Sequence, residues 1–389
     1  MNKYRHYFTG AALAGLLLAG FTSCKKFSDD EPFPEEYSRT LFVSSNNRIV
    51  YALDPVSGTR KWEFITDGAV KATPVKYSNA LWIATDQGTL YKLDPHKGTQ
   101  LGKITYPAPI LATPIGYKNT MIVPVMNNKV YAMNVSFENI NDTAWTHDVG
   151  GTVIASPTIH TIAGRAEVGL FIATFSTNKV YALDADEGTQ LWVHNPLSTA
   201  GAFYSSPCVV NDSFMYIGND DKNMYSIKTY DGSLKWTFAT GGQVRSSPIT
   251  IGGNVLFGSS DRYFYSVDST TGLLRWKVAT EERIISSPAV DNQYVYFGCY
   301  DYKMYCVDII DGTVHWSKQT AGLIQSSPVV SNGYVYYGSF DKNLYVSDTS
   351  DGAVKWFFNV NGQMETSPII DWANEGGVQV PSISGNYKY

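Results

Sequence analysis

One pattern recurs along almost the whole chain and restricts its fold more than any other feature. Residues 242–280 open on Gly242-Gln243-Val244-Arg245-Ser246-Ser247-Pro248 and continue to an apolar run ending Val255-Leu256-Phe257-Gly258. A polar turn at Ser260-Asp261, the strand-like Phe264-Tyr265-Ser266-Val267-Asp268, Gly272 and Leu274-Arg275-Trp276-Lys277-Val278 complete the unit. The same text returns at residues 281–320 and 321–360, and looser copies run back toward the N-terminus.

Three residue series fix the period. Tyrosines fall at Tyr51, Tyr91, Tyr131, Tyr181, Tyr225, Tyr265, Tyr305 and Tyr345. Prolines fall at Pro74, Pro114, Pro157, Pro207, Pro248, Pro288, Pro328 and Pro368. A tryptophan closes the unit at Trp62, Trp145, Trp192, Trp236, Trp276, Trp316 and Trp356, and Gly102 stands where another is expected. Most intervals are 40 residues. Each unit holds four short segments rich in Val, Ile, Tyr, Phe and Trp, separated by Gly, Asp, Asn and Ser, which is strand-and-turn chemistry. Four strands in a repeat of about 40 residues predict a β-propeller blade.

The N-terminal unit, residues 40–65, has only three strand-like runs and lacks the Ser-Ser-Pro run. That run appears at the far end, as Thr366-Ser367-Pro368-Ile369-Ile370. The expected fold is therefore all-β: an eight-bladed propeller of four-stranded antiparallel blades, its ring closed by N- and C-terminal strands. Residues 377–389 resemble a further copy of the second and third runs. They either cap an edge or compete with Leu41-Phe42-Val43.

The recurring residues have structural uses. In Asp-x-x-x-Gly, as at Asp268 and Gly272, the carboxylate can accept bonds from the backbone ahead while glycine supplies φ > 0. The tryptophan four residues on can cover the seam between blades while its N–H meets a carbonyl. Proline suits the edge strand nearest the axis, because it has no N–H to donate.

The residue four before each proline is apolar throughout (Val70, Ile110, Val153, Phe203, Val244, Ile284, Ile324, Met364), as an inter-blade core requires. The next residue varies, so it should point elsewhere, toward the axial opening or a solvated rim. Lys71, Tyr204, Arg245, Gln325 and Glu365 are the candidate ligand or partner ring. Asp220-Asp221, Asp261, Asp301 and Asp341 sit in hairpin turns, where aspartate serves as a Ca²⁺ ligand or, more commonly, a backbone cap. The histidines are scattered, no Cys/His group has metal spacing, and no triad context is recognisable. Cys299 and Cys306 flank the turn at residues 301–303. A tight hairpin would place them nearly opposite, as a cross-strand disulfide needs, although strand-pair geometry rarely suits one and two unpaired thiols in the sheet are the more common outcome. Insertions at 135–143 and 160–167 lengthen two connections, as binding loops or as tolerated drift.

The formal net charge of −5 argues against nucleic-acid binding, which needs a basic face. At the N-terminus, Lys3 and Arg5 precede a short apolar run ending Phe21-Thr22-Ser23-Cys24. It resembles a bacterial lipoprotein signal, with an ordinary cleaved signal as the alternative. The expected divisions are a lipoprotein signal peptide at 1–23, a flexible acidic tether at 24–39 and one propeller at 40–389. Ser28-Asp29-Asp30-Glu31 is similar to the acidic surface-export signal of Bacteroidetes lipoproteins, or is a generic acidic linker.

The motif Ser-Ser-Pro…Val-Tyr-Phe-Gly-x-x-Asp…Tyr-x-Val-Asp-x-x-x-Gly-x-x-x-Trp resembles the pyrroloquinoline-quinone (PQQ) propeller repeat over residues 40–389. Size, lipid signal and blade count are most similar to the BamB branch, the lipoprotein propellers of outer-membrane barrel assembly. That resemblance implies a non-enzymatic scaffold without a cofactor. It would be lipid-anchored in the cell envelope, with barrel-assembly proteins among its partners, which it would bind through loops on one face. The quinoprotein dehydrogenases are the other branch and would imply PQQ with Ca²⁺. They are usually longer, and many carry adjacent cysteines that this chain lacks. A surface lipoprotein that binds carbohydrate or peptide is a third reading. On the lipoprotein reading, Cys24→Ala removes membrane association, checked by fractionation with a carbonate wash. A variant that stays with the membrane contradicts it.

Overall fold

In an antiparallel sheet stacked on both faces, alternate side chains have no solvent side to avoid, so the inner strands read as near-continuous apolar runs. The computed structural model describes residues 39–135, 143–194, 201–372 and 377–379. The expected signal segment, Cys24 and nearly all of the tether lie outside the described residues, as do residues 136–142 of the first insertion. The described residues form eight antiparallel sheets and no helix.

One blade shows the plan. Strands Ile249–Ile251, Asn254–Gly258, Tyr263–Asp268 and Leu274–Ala279 lie side by side in chain order. The second strand is buried along its whole length, whereas the fourth is largely exposed. Each proline immediately precedes the short innermost strand, as Pro248 precedes Ile249.

The eighth blade is built from both ends of the chain. Leu41 pairs with Ile370 and Phe42 with Ile369, so strand Ile369–Trp372 supplies the inner strand of the N-terminal blade. Gly377–Gln379 adds a fifth strand against Ile369–Trp372. This part of the tail therefore caps the inner edge and leaves the pairing of Thr40–Ser44 undisturbed.

Neighbouring blades meet through the tryptophans. Trp276 lies on Gly312 of the next blade, where an added Cβ would come within 2.8 Å of the indole. Gly312 also has φ +77°, so glycine is required twice over. The Trp276 N–H donates to Ile309 O at 3.0 Å, one residue past Asp308. The same geometry joins Trp62 to Pro95 O, Trp145 to Ala185 O, Trp192 to Thr229 O, Trp236 to Ser269 O and Trp316 to Thr349 O. Trp356 packs on Gly58 and thereby joins the seventh blade to the eighth. Just past the residue paired with Trp276, the register slips between Ser266 and Val267. A slip at this position recurs in every blade and increases the local twist of the outer strand.

The seam lacking tryptophan has a substitute. Gly102 pairs with Lys92, and the next blade has Asn134-Val135 in place of an Asp-x-x-x-Gly turn. Lys92 is 1% exposed and donates from Nζ to Val135 O at 3.1 Å, the carbonyl equivalent to those the indoles use elsewhere. Its ammonium also lies 5.3 Å from the centre of the Trp82 ring. Burial lowers its pKa, so this seam holds a cation at a desolvation cost that the carbonyl and ring offset.

The cysteines are unpaired thiols, and the expectation that they lie nearly opposite is corrected. Cys299 and Cys306 are both free and buried. Cys299 N–H donates to Lys303 O, whereas Cys306 pairs with Tyr296. The tight turn, with Tyr302 at φ +70°, sets Cys299 opposite Lys303 rather than Cys306. Burial pushes both thiols up to about 12.

The second insertion, 160–167, packs on the next blade. His160 and Thr161 contact Asp212, and Arg165 lies over the Tyr230 ring at 4.7 Å.

Removing a large ring from a glycine-backed seam leaves a cavity that neighbouring sheets cannot collapse into. Trp316→Ala should therefore cost about 3–5 kcal/mol, measured by denaturant unfolding. Trp316→Phe should cost less.

Candidate functional site: the axial mouth

The strand order places the hairpins between second and third strands, and the connections between blades, on one face. This face surrounds the axis, and three concentric rings come from the residues before each proline. The apolar ring packs between blades, with Val70, Ile110, Val153, Phe203, Val244, Ile284, Ile324 and Met364 all fully buried. The residues immediately before the prolines are all hydroxyls, and they line an axial cavity of about 190 Å³. They are also bonded from blade to blade. Thr73 N–H donates to Thr113 Oγ1 and Thr113 N–H to Ser156 Oγ, both at 3.1 Å. The chain continues through Ser206, Ser247, Ser287 and Ser327.

Of the five sequence-predicted ring residues, Lys71, Tyr204 and Glu365 line this cavity, beside the apolar Leu111 and Ile154. Glu365 Oε1 accepts from Asn46 Nδ2 at 2.8 Å. Arg245 and Gln325 are drawn instead into the surrounding rim. Arg245 grips Asp220 of the preceding blade with two bonds, Nε to Oδ1 at 2.8 Å and Nη2 to Oδ2 at 2.7 Å. It also lies over the Tyr204 ring at 4.0 Å, and Tyr204 meets Phe175 edge-on at 5.1 Å. The Asp220 bonds raise the Arg245 pKa further. Gln325 Oε1 accepts from Tyr300 Oη at 2.5 Å, while Arg283 lies over the Tyr300 ring at 4.4 Å. Burial raises the Tyr300 pKa, Arg283 opposes the rise, and the Glu365 charge adds to it.

Arg283 and Tyr300 are thus mouth residues that sequence reasoning missed, and Asp220, read from the sequence as a turn ligand or cap, instead holds Arg245 at the mouth. Beside them lies an open groove of about 770 Å³, lined by Glu281, Arg283, Tyr300, Tyr302, Lys303 and Leu323, among others. Tyr302 is 45% exposed, and Lys303 pairs with Glu281 at 2.6 Å.

The turn aspartates cap backbone. Asp261 Oδ1 accepts from Tyr263 N–H, and its Oδ2 accepts from Tyr265 Oη and Gly241 N–H. Asp301 and Asp341 repeat the arrangement. Among the described residues, no three His, Cys, Asp or Glu side chains come together as a metal site. A quinone with its Ca²⁺ would need such carboxylates at the axis, where, among the described residues, Glu365 is the acidic residue lining the cavity. The residues present therefore do not fit that pair.

A ring of four-stranded blades carrying these repeated motifs defines a PQQ-type propeller. Within that class the chain belongs to the BamB family: the family model for outer membrane protein assembly factor BamB matches residues 38–201 and 176–371. The outer membrane protein assembly factor BamB of Yersinia pestis is 30% identical over 84 residues, 20% of this chain and 21% of that protein. The Escherichia coli protein of the same name is 29% identical over 76 residues, 18% of this chain and 19% of that protein. The aligned segment thus spans about a fifth of each curated relative. Among solved structures, BamB from Moraxella catarrhalis superposes with a TM-score of 0.63 at 18% identity, covering 77% of this chain and 88% of that one. Quinohemoprotein alcohol dehydrogenase from Comamonas testosteroni gives 0.63 at 11% identity, over 78% and 70%. At these identities the likeness shows the fold alone.

The mouth-facing turns carry a pH dependence. Burial, then the hydrogen bond to the turn aspartate, raises the pKa of Tyr225, Tyr265 and Tyr305. Unfolded tyrosines lose their protons near pH 10, while these retain theirs, so the folded state binds more protons above that pH. Stability should fall as pH rises beyond about 10, read as a falling urea midpoint. Tyr265→Phe should soften the fall.

Proposed function

We propose that this protein is a non-enzymatic, lipid-anchored scaffold of the cell envelope that binds partner proteins through loops of the mouth face and serves outer-membrane protein assembly. The observation carrying the reading is the groove beside the mouth. Arg283, Tyr300 and Tyr302 line it, and arginine and tyrosine are the residue types that dominate binding energy in protein interfaces. Rigid neighbouring blades hold these side chains, so little ordering entropy is lost on docking. BamB membership supports the assembly role, and the Cys24 signal supports anchoring at the outer membrane. An anchored ring gains avidity by position, because the lipid keeps it near membrane-bound partners. No cofactor is needed for this role.

In-cell cross-linking and pull-down of the tagged protein, read by mass spectrometry, tests the proposal. Barrel-assembly proteins should be recovered, and Arg283→Ala with Tyr302→Ala should reduce their yield about tenfold or more. Recovery of a nutrient-uptake system instead, or of no assembly component, overturns it.

A further inference from the structure

The hydroxyl belt has a consequence separate from partner binding. Its backbone bonds all run one way: Ser206 N–H donates to Ser247 Oγ at 2.9 Å, and Ser247 N–H to Ser287 Oγ at 2.9 Å. Each hydroxyl from Thr113 to Ser327 therefore spends a lone pair on the preceding blade and keeps its proton to donate. Among the described residues, no protein acceptor takes the protons of Ser247 or Ser287. Ser247 is 8% exposed and Ser287 7%, and both line the axial cavity, so an acceptor placed there can take these protons. Buried donors without protein acceptors are costly, and Ser247 and Ser287 place two of them at one axis, where a ligand rich in acceptor oxygens would satisfy them.

Lys71, an exposed residue, lines the mouth of the same cavity, and among the described residues none of the ion pairs involves it. It is therefore a cation available to a ligand. On the same wall stands Glu365, whose Oε1 is held by Asn46. A fully ionised oxyanion would be repelled by that carboxylate. One that still carries a proton can donate it to the carboxylate as a hydrogen bond.

We propose that the axial cavity binds phosphate: its oxygens accept from the hydroxyl belt, Lys71 supplies the countercharge, and a protonated phosphate oxygen donates to Glu365. At about 190 Å³ the cavity admits such an ion with some of its water. Near neutral pH phosphate retains a proton and sulfate does not, so the site should prefer phosphate.

Isothermal titration of the full-length protein with inorganic phosphate and with sulfate is the test, alongside thermal unfolding in each salt at matched ionic strength. Phosphate should bind stoichiometrically and raise the Tm more than sulfate does. Lys71→Met should weaken binding about tenfold, as should Ser287→Ala, each removing one bond to a charged ligand. Glu365→Gln should narrow the gap between phosphate and sulfate. Lys71→Met leaves the belt intact, so it remains informative if Ser287→Ala fails to fold. Glycerol phosphate, run in parallel, separates the sources: binding of inorganic phosphate alone assigns a free ion, and binding of both assigns a phosphate group carried on a larger molecule. Absence of phosphate binding, or binding unchanged by Lys71→Met, overturns the proposal.

Discussion

The contact on which the ring depends is a flat indole laid over a bare glycine backbone in the next blade. A blade alone has two apolar faces and could not survive in water; it is stable only between neighbours. The tryptophan fixes how neighbours meet. Its ring needs a partner without a Cβ, which Gly312 supplies to Trp276, and its N–H needs a carbonyl, which Ile309 supplies. Trp356 on Gly58 carries the same contact across the chain ends, and strand Ile369–Trp372 completes the sheet there. Where the tryptophan is missing, the glycine turn is missing too, and Lys92 reaches the equivalent carbonyl. Ring and turn have changed together, as expected of two halves of one contact.

A scaffold made this way is stiff on the seam side and variable on the mouth side. Residues lining the mouth are free of the packing demands that fix the tryptophans, so they can differ from blade to blade. That freedom produces the chemical asymmetry: cations and aromatic rings at Arg245, Arg283, Tyr204 and Tyr300, an apolar stretch at Leu111 and Ile154, and a carboxylate at Glu365. On the proposed reading, the asymmetry would give a partner a defined orientation on an otherwise repetitive ring. The axial cavity is small, polar and walled by hydroxyls.

Much of the architecture was legible because a repeated pattern constrains every copy at once. The series of Tyr, Pro and Trp gave the strand count, and the absent Ser-Ser-Pro run at the N-terminus gave the closure. What the sequence could not supply was register and pairing between blades. Cys299 and Cys306 looked opposite by counting, yet one residue at positive φ, Tyr302, sets the turn and offsets them. Arg245 looked like a free axial cation until Asp220, from the preceding blade, captured it. The constant hydroxyl before each proline was present in the sequence. Its meaning depended on bond direction, which is settled only when the blades stand side by side. Position in the repeat fixes where a side chain starts, and neighbouring blades decide what it meets.

The central claim is that the mouth face is the working surface of a rigid ring. Hydrogen–deuterium exchange on the full-length protein in membranes, with and without a co-purified assembly partner, tests it most directly. The account predicts added protection in the loops around residues 281–283 and 300–303, with the seam tryptophan strands slow to exchange in both states. Added protection confined to the opposite face, at the Asp-x-x-x-Gly turns, would contradict it.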